Sequence, residues 1–105
     1  MDADFKKLME VMGDEVVDCE GRRIGKLAQI ALEPNTYRAE WLVVKTSLFG
    51  RQRLVPLVSA VEHGDTIRVP FTRETVMRAP VPQVPLTPAP TECTALEDYY
   101  QQQAA

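Results

Sequence analysis

Residues 13–32 read GDEVVDCEGRRIGKLAQIAL. Glu15 to Asp18 alternates as a short strand, and Arg23 to Leu32 continues as a second, longer one. Between them, Cys19-Glu20-Gly21-Arg22 forms a turn, with Gly21 supplying the positive φ that side chains resist. In the second strand Ile24, Ala28, Ile30 and Leu32 share one parity and are expected to face inward. Leu27 breaks that parity just after Gly25. A glycine inside a strand pattern marks a bulge that resets the faces, so this strand is expected to bend strongly.

Working outward, Glu33-Pro34-Asn35-Thr36 turns the chain into a third strand, Ala39 to Leu48. Leu42, Val44, Thr46 and Leu48 fall on one face; Trp41, Val43 and Lys45 fall on the other. Apolar residues on both faces require cover on both. Phe49-Gly50 is a turn, and Arg53 to Leu57 a fourth strand whose Pro56 belongs at an edge or bulge. Val58 to Glu62 reads as a short extension. Glu62-His63-Gly64-Asp65 is a hairpin turn, with Thr66 to Val69 returning as a final strand. On the N-terminal side, residues 4–12 fit a short helix with Phe5, Leu8, Met9 and Met12 as one apolar stripe. Asp4 is the expected N-cap and Gly13 the stop. The helix is expected to cover an open end of the barrel; the sharper alternative is that it packs on a second subunit.

After Pro70 the composition changes. Thr72 to Met77 carries mixed signals and is left open. Five of the eight prolines lie within residues 80–90, an extended polyproline-like connector. Thr94-Ala95-Leu96-Glu97 has the form of a capping box and opens a helix from Ala95 to Gln103. The expected organisation is therefore a helical segment 1–12, a β domain 13–79, a connector 80–93 and a helical tail 94–105. Over 105 residues this amounts to one domain. The expected fold class is mainly β, a small and strongly bent barrel of about five to six strands with short N- and C-terminal helices.

The bulk numbers exclude several functions. A net charge of −3 gives no broad pull toward nucleic acid or anionic lipid. No apolar run reaches the roughly 20 residues that span a bilayer, and the N-terminus has no secretory pattern. Cytoplasmic location without membrane insertion is expected. Cys19 and Cys93 suggest no disulfide framework. Two cysteines and His63 have no zinc-ligand spacing, and no glycine-rich phosphate loop is present. Cys19 and His63 sit in different turns without an orienting third group, so no nucleophilic pair is expected. A Cys19 redox sensor would need a depressed thiol pKa. No catalytic residue, cofactor or metal is expected.

GDEVVDCEGRRIGKLAQIAL resembles the opening of PRC-barrel domains, with a Gly-x-x-Val start, a glycine turn and an Ile-Gly-Lys strand. LVVKTSLFGRQRLVPLVSAV resembles the family's third and fourth strands, ending in Val-Pro-Leu. RETVMRAPVPQVP followed by LEDYYQ resembles the Ala-Pro connector and Tyr-containing helix of stand-alone bacterial members. The family includes the cytoplasmic part of the photosynthetic reaction centre H subunit and the C-terminal domain of a ribosome maturation factor. The resemblance implies a docking module that holds another protein, and no enzyme.

The partner-binding candidates are Leu48 and Phe49 with Arg51 and Arg53 as a charged rim, and Trp41 with Tyr99 and Tyr100 of the tail. The tail is expected to dock on its own barrel or on a twin, giving a homodimer or higher oligomer. The second reading is a nucleic-acid-binding barrel using Arg22, Arg23, Lys45, Arg51 and Arg53. Charges that keep strand edges from pairing explain the same residues more simply.

Overall fold

The computed structural model describes residues 1, 4–47 and 50–103. In chain order its elements are α1 (Phe5–Glu10), β1 (Glu15–Val17), β2 (Arg23–Leu32), β3 (Ala39–Lys45), β4 (Gln52–Pro56), β5 (Val61–His63), β6 (Thr66–Arg68), α2 (Arg73–Met77) and α3 (Pro90–Gln103). The strands form one sheet in the order β4-β3-β2-β1-β6-β5. All neighbours run antiparallel except β1 and β6, which are parallel.

The sheet is open rather than closed: β4 and β5 are its two edges and do not pair. The expected closure into a barrel is therefore only partly realised. Two features explain why. β5 and β6 have three residues each, so the β5 edge offers few backbone groups for a further ladder. β4 ends at Pro56, which has no N–H to donate to a further ladder.

The bending of β2 is present, with its bulges at other positions than expected. Against β1, Val16 faces Gly25 and Val17 faces Arg23, so Ile24 is the extra residue. Against β3, Leu27 faces Val44 and Gln29 faces Val43, so Ala28 is extra. Two bulges in ten residues turn the strand's faces twice. Ile24, Leu27 and Ala31 are buried, and Leu32, expected inward, is exposed.

Gly25 serves a different purpose. A Cβ there would lie 2.2 Å from the carbonyl oxygen of Lys45 and 2.9 Å from Cα of Thr46. Both are backbone atoms, so the end of β3 would have to move away from β2. Gly25→Ala is expected to destabilise by about 1–3 kcal/mol, lowering the melting temperature by roughly 4–8 °C per kcal/mol. Thermal melts by circular dichroism check this; an unchanged midpoint would mean that the strand ends separate freely.

Trp41, Leu42, Val43 and Val44 are all buried, so both faces of β3 are covered as expected. The tail provides part of that cover. Cys93, Leu96 and Tyr100 are the buried residues of α3. The Tyr100 hydroxyl donates to the carbonyl of Leu54 on β4 at 2.5 Å, and its ring centroid lies 4.7 Å from that of Phe71. The Tyr99 hydroxyl donates to the carbonyl of Thr75 in α2 at 2.6 Å. The ambiguous stretch before the connector is helical, and the hydroxyl of Thr72 caps it by accepting from the Thr75 amide.

The tail helix begins at Pro90, not at Ala95. Thr94 is inside it and donates its hydroxyl to the carbonyl of Pro90. The start is made by Pro90 at the first helical position, where a missing N–H costs nothing. Glu92 reaches back to accept from the amides of Ala89 and Gln83. The connector is not fully extended either: the Thr87 amide donates to the Val84 carbonyl, closing a turn.

Candidate docking groove

α1 uses its apolar residues on two sides. Leu8 and Val11 point into the core. Phe5 and Met9, expected on the same inward stripe, are 75% and 55% exposed. They form one wall of a groove of about 1120 Å³. The outer end of β2, the start of β3, the Pro56–Ser59 segment and the solvent side of α3 form the rest. Val58, 83% exposed, and Leu32 add apolar surface on this rim. A single exposed apolar side chain is ordinary; several around one hollow mark a contact surface.

Tyr37 completes the rim and has an unusual backbone. Its φ is 59°, the only positive value among the described residues other than glycines. An L side chain there costs roughly 1–2 kcal/mol. The turn holds it in place: the Glu33 carboxylate accepts from the amides of Asn35 and Thr36, and the Tyr37 amide donates to the Glu33 carbonyl at 2.8 Å. An aromatic ring is thus kept at a position that favours glycine, and it is 76% exposed beside the groove.

The groove is mainly apolar, and two acidic groups line it. Glu40, half-buried at the start of β3, meets Glu97 of α3. Burial, then a hydrogen bond to Glu97 and its charge, then the charge of Glu33, push the Glu40 pKa up to about 7. Near neutral pH Glu40 therefore holds its proton in part. Arg38 lines the same groove. The Cys93 thiol is pushed up by burial and by the charges of Glu40, Glu97 and Glu33.

Trp41 and Tyr100 form part of the groove floor, yet they are 1% and 3% exposed. They hold the chain's own interior together and offer no side chain free to reach a partner. Tyr99 is half-buried against α2. Arg51 is exposed; Arg53 is half-buried, and its Nε has no hydrogen-bond partner among the described residues. Leu48 and Phe49 lie outside the described residues. From the sequence pattern, Val58 reads as part of a strand extension, Leu32 as inward, and Phe5 and Met9 as an inward helix stripe. Their one available signal was Val11, which with Leu8 makes a second inward face and leaves Phe5 and Met9 over.

Two of the five basic residues of the nucleic-acid reading are engaged. Arg22 pairs with Asp18 at 3.0 Å, Glu20 at 3.1 Å and Glu74 at 2.8 Å. Arg23 pairs with Glu15 at 2.7 Å. Cys19 is exposed in the turn after β1; His63, expected in a turn, is exposed at the end of β5, with only Gly64 and Asp65 turning the chain. Among the described residues no group of three or more His, Cys, Asp or Glu is placed to hold a metal ion. No helix among them is long and apolar enough to cross a membrane.

No curated protein matches the chain in sequence. A domain family does match, over α1, all six strands and most of α2. A family model of the PRC-barrel domain covers residues 4–76, more than half of the chain, and the protein belongs to that family.

Proposed function

We propose that this PRC-barrel protein is a non-enzymatic docking module that associates with a second protein chain, and with itself, through the groove beside α1. The observation that carries the reading is the ring of exposed apolar residues, Phe5, Met9, Tyr37 and Val58, around one hollow. Taking a large apolar side chain out of water is worth roughly 1.5–3 kcal/mol. Phe5 and Met9 from each of two chains would together contribute about 6–12 kcal/mol on that basis. Association itself costs about 4–15 kcal/mol. The two helices alone therefore barely balance the cost, and Tyr37, Val58 and Leu32 are needed for a net gain.

Sedimentation or light scattering on the full chain tests the reading. The expected result is a concentration-dependent dimer at micromolar protein. Val58→Asp and Phe5→Glu, both at exposed positions, should give monomers with an unchanged melting temperature. A wild-type chain that stays monomeric would remove the self-association. A dimer indifferent to both substitutions would move the contact away from the groove.

A further inference from the structure

The groove carries carboxylates as well as apolar surface, and the helix that walls it carries exposed lysines. α1 projects Phe5 and Met9 as a ridge, with Lys6 one residue on from Phe5. At about 100° per residue, Lys6 lies on the solvent flank of that ridge, while Lys7 lies about 200° round, away from it. Across the groove stand Glu40 and Glu97, two carboxylates facing each other beside apolar walls. A purely apolar occupant would bury that pair and leave it to a shared proton. An occupant with an ammonium beside its apolar face would satisfy it. The chain's own α1 has both, with Phe5 and Met9 on the groove wall and Lys6 exposed one turn before Glu10, so ridge, hollow, cation and anions all belong to one chain. That is what a two-fold contact requires, since each element then meets its complement twice.

We infer that α1 of a second copy seats its Phe5–Met9 ridge in the groove and that the partner's Lys6 meets the Glu40–Glu97 carboxylate pair. This rests on the docking reading above and names its occupant and its polar anchor. The groups facing Glu40 are Glu97 from α3, Glu33 from the turn after β2 and the Cys93 thiol of α3. Arg38 lines the same groove. The ammonium needs Glu40 ionised beside Glu97, so association should tighten as pH rises from 6 to 8.

The test is sedimentation velocity on the full chain at low salt, with Lys6→Glu, Lys7→Glu, Glu97→Lys and the double variant Lys6→Glu/Glu97→Lys. Lys6, Lys7 and Glu97 are exposed, so the variants should fold. The wild type should dimerise, more tightly at pH 8 than at pH 6. Lys6→Glu and Glu97→Lys should each weaken the dimer about tenfold. The double variant should recover most of the loss, as direct partners do in a mutant cycle. Lys7→Glu should change little.

A dimer abolished by Phe5→Glu but indifferent to Lys6→Glu and Glu97→Lys would overturn this pairing and leave the docking reading standing. Two weakened single variants without recovery in the double would overturn it as well. A monomeric wild type would overturn both the pairing and the self-association. If that monomer still bound a synthetic apolar helix bearing lysine, the groove would belong to a foreign partner instead.

Discussion

Removing residues 80–105 should abolish cooperative folding or lower the melting temperature by more than about 20 °C. α3 contributes Leu96, with no exposed surface, and Tyr100 at 3%. Each is worth roughly 1.5–3 kcal/mol of burial, and their loss would also uncover Phe71 and Trp41. The Tyr100 hydroxyl bond to Leu54 and the Tyr99 bond to Thr75 would go too, releasing β4 and α2 from the tail. A domain this size has a total stability of about 5–15 kcal/mol. A loss of about 5 kcal/mol therefore takes a third or more of it, and each kcal/mol moves the midpoint by about 4–8 °C. Thermal unfolding followed by circular dichroism reads the effect. Tyr100→Phe isolates one piece: the ring stays, the Leu54 carbonyl loses its partner, and the expected cost is about 1–2 kcal/mol. A truncated chain that melts like the full one would show that the tail adds nothing to the core.

The same comparison separates what local pattern encodes from what it does not. β3 was legible because four consecutive buried residues demand cover on both faces, whatever supplies it. Gly21 was legible because its turn needs a positive φ, and it has one, 83°. The inward set of β2 was not, because the positions of its bulges depend on the register of two different neighbours. Closure was not legible either: whether β4 meets β5 depends on the length and curvature of the whole sheet. In α1 the stripe Phe5, Leu8, Met9 and Met12 reads as wholly inward, yet the helix buries the flank of Leu8 and Val11 and leaves Phe5 and Met9 exposed. Trp41 and Tyr100 were recognised as needing partners. They find them inside their own chain, which is why they are poor candidates for docking and Phe5, Met9 and Val58 are better ones.

Asp18 is the residue whose loss should cost most among single polar substitutions. Its side chain is fully buried, and both oxygens are used. One accepts from the amides of Glu20 at 2.9 Å and Arg22 at 2.8 Å. The other accepts from the Arg73 amide at 3.0 Å and from Nε of Arg22 at 3.0 Å. The carboxylate thus ties the β1–β2 turn to the first turn of α2, and Arg22 continues the link to both oxygens of Glu74. Asp18→Ala removes a buried charge from its guanidinium and strands three amides, at an expected cost of about 3–5 kcal/mol. Asp18→Asn keeps an acceptor for the Glu20 and Arg22 amides but turns an NH2 toward Arg73, and should fall between alanine and wild type. The pH dependence identifies the cause. Burial would raise the Asp18 pKa, but the Arg22, Arg73 and Glu20 amides and the Arg22 side chain outweigh it and hold the carboxyl below its ordinary 3.8. A depressed folded-state pKa stabilises above the unfolded value and loses that contribution as pH falls through the folded one. Wild-type stability in urea should therefore drop on acidification below about pH 4, and the drop should be shallower in Asp18→Asn. If Asp18→Ala cost less than about 1 kcal/mol, or if the two acid profiles ran parallel, the turn and α2 would be held together by something other than this carboxylate.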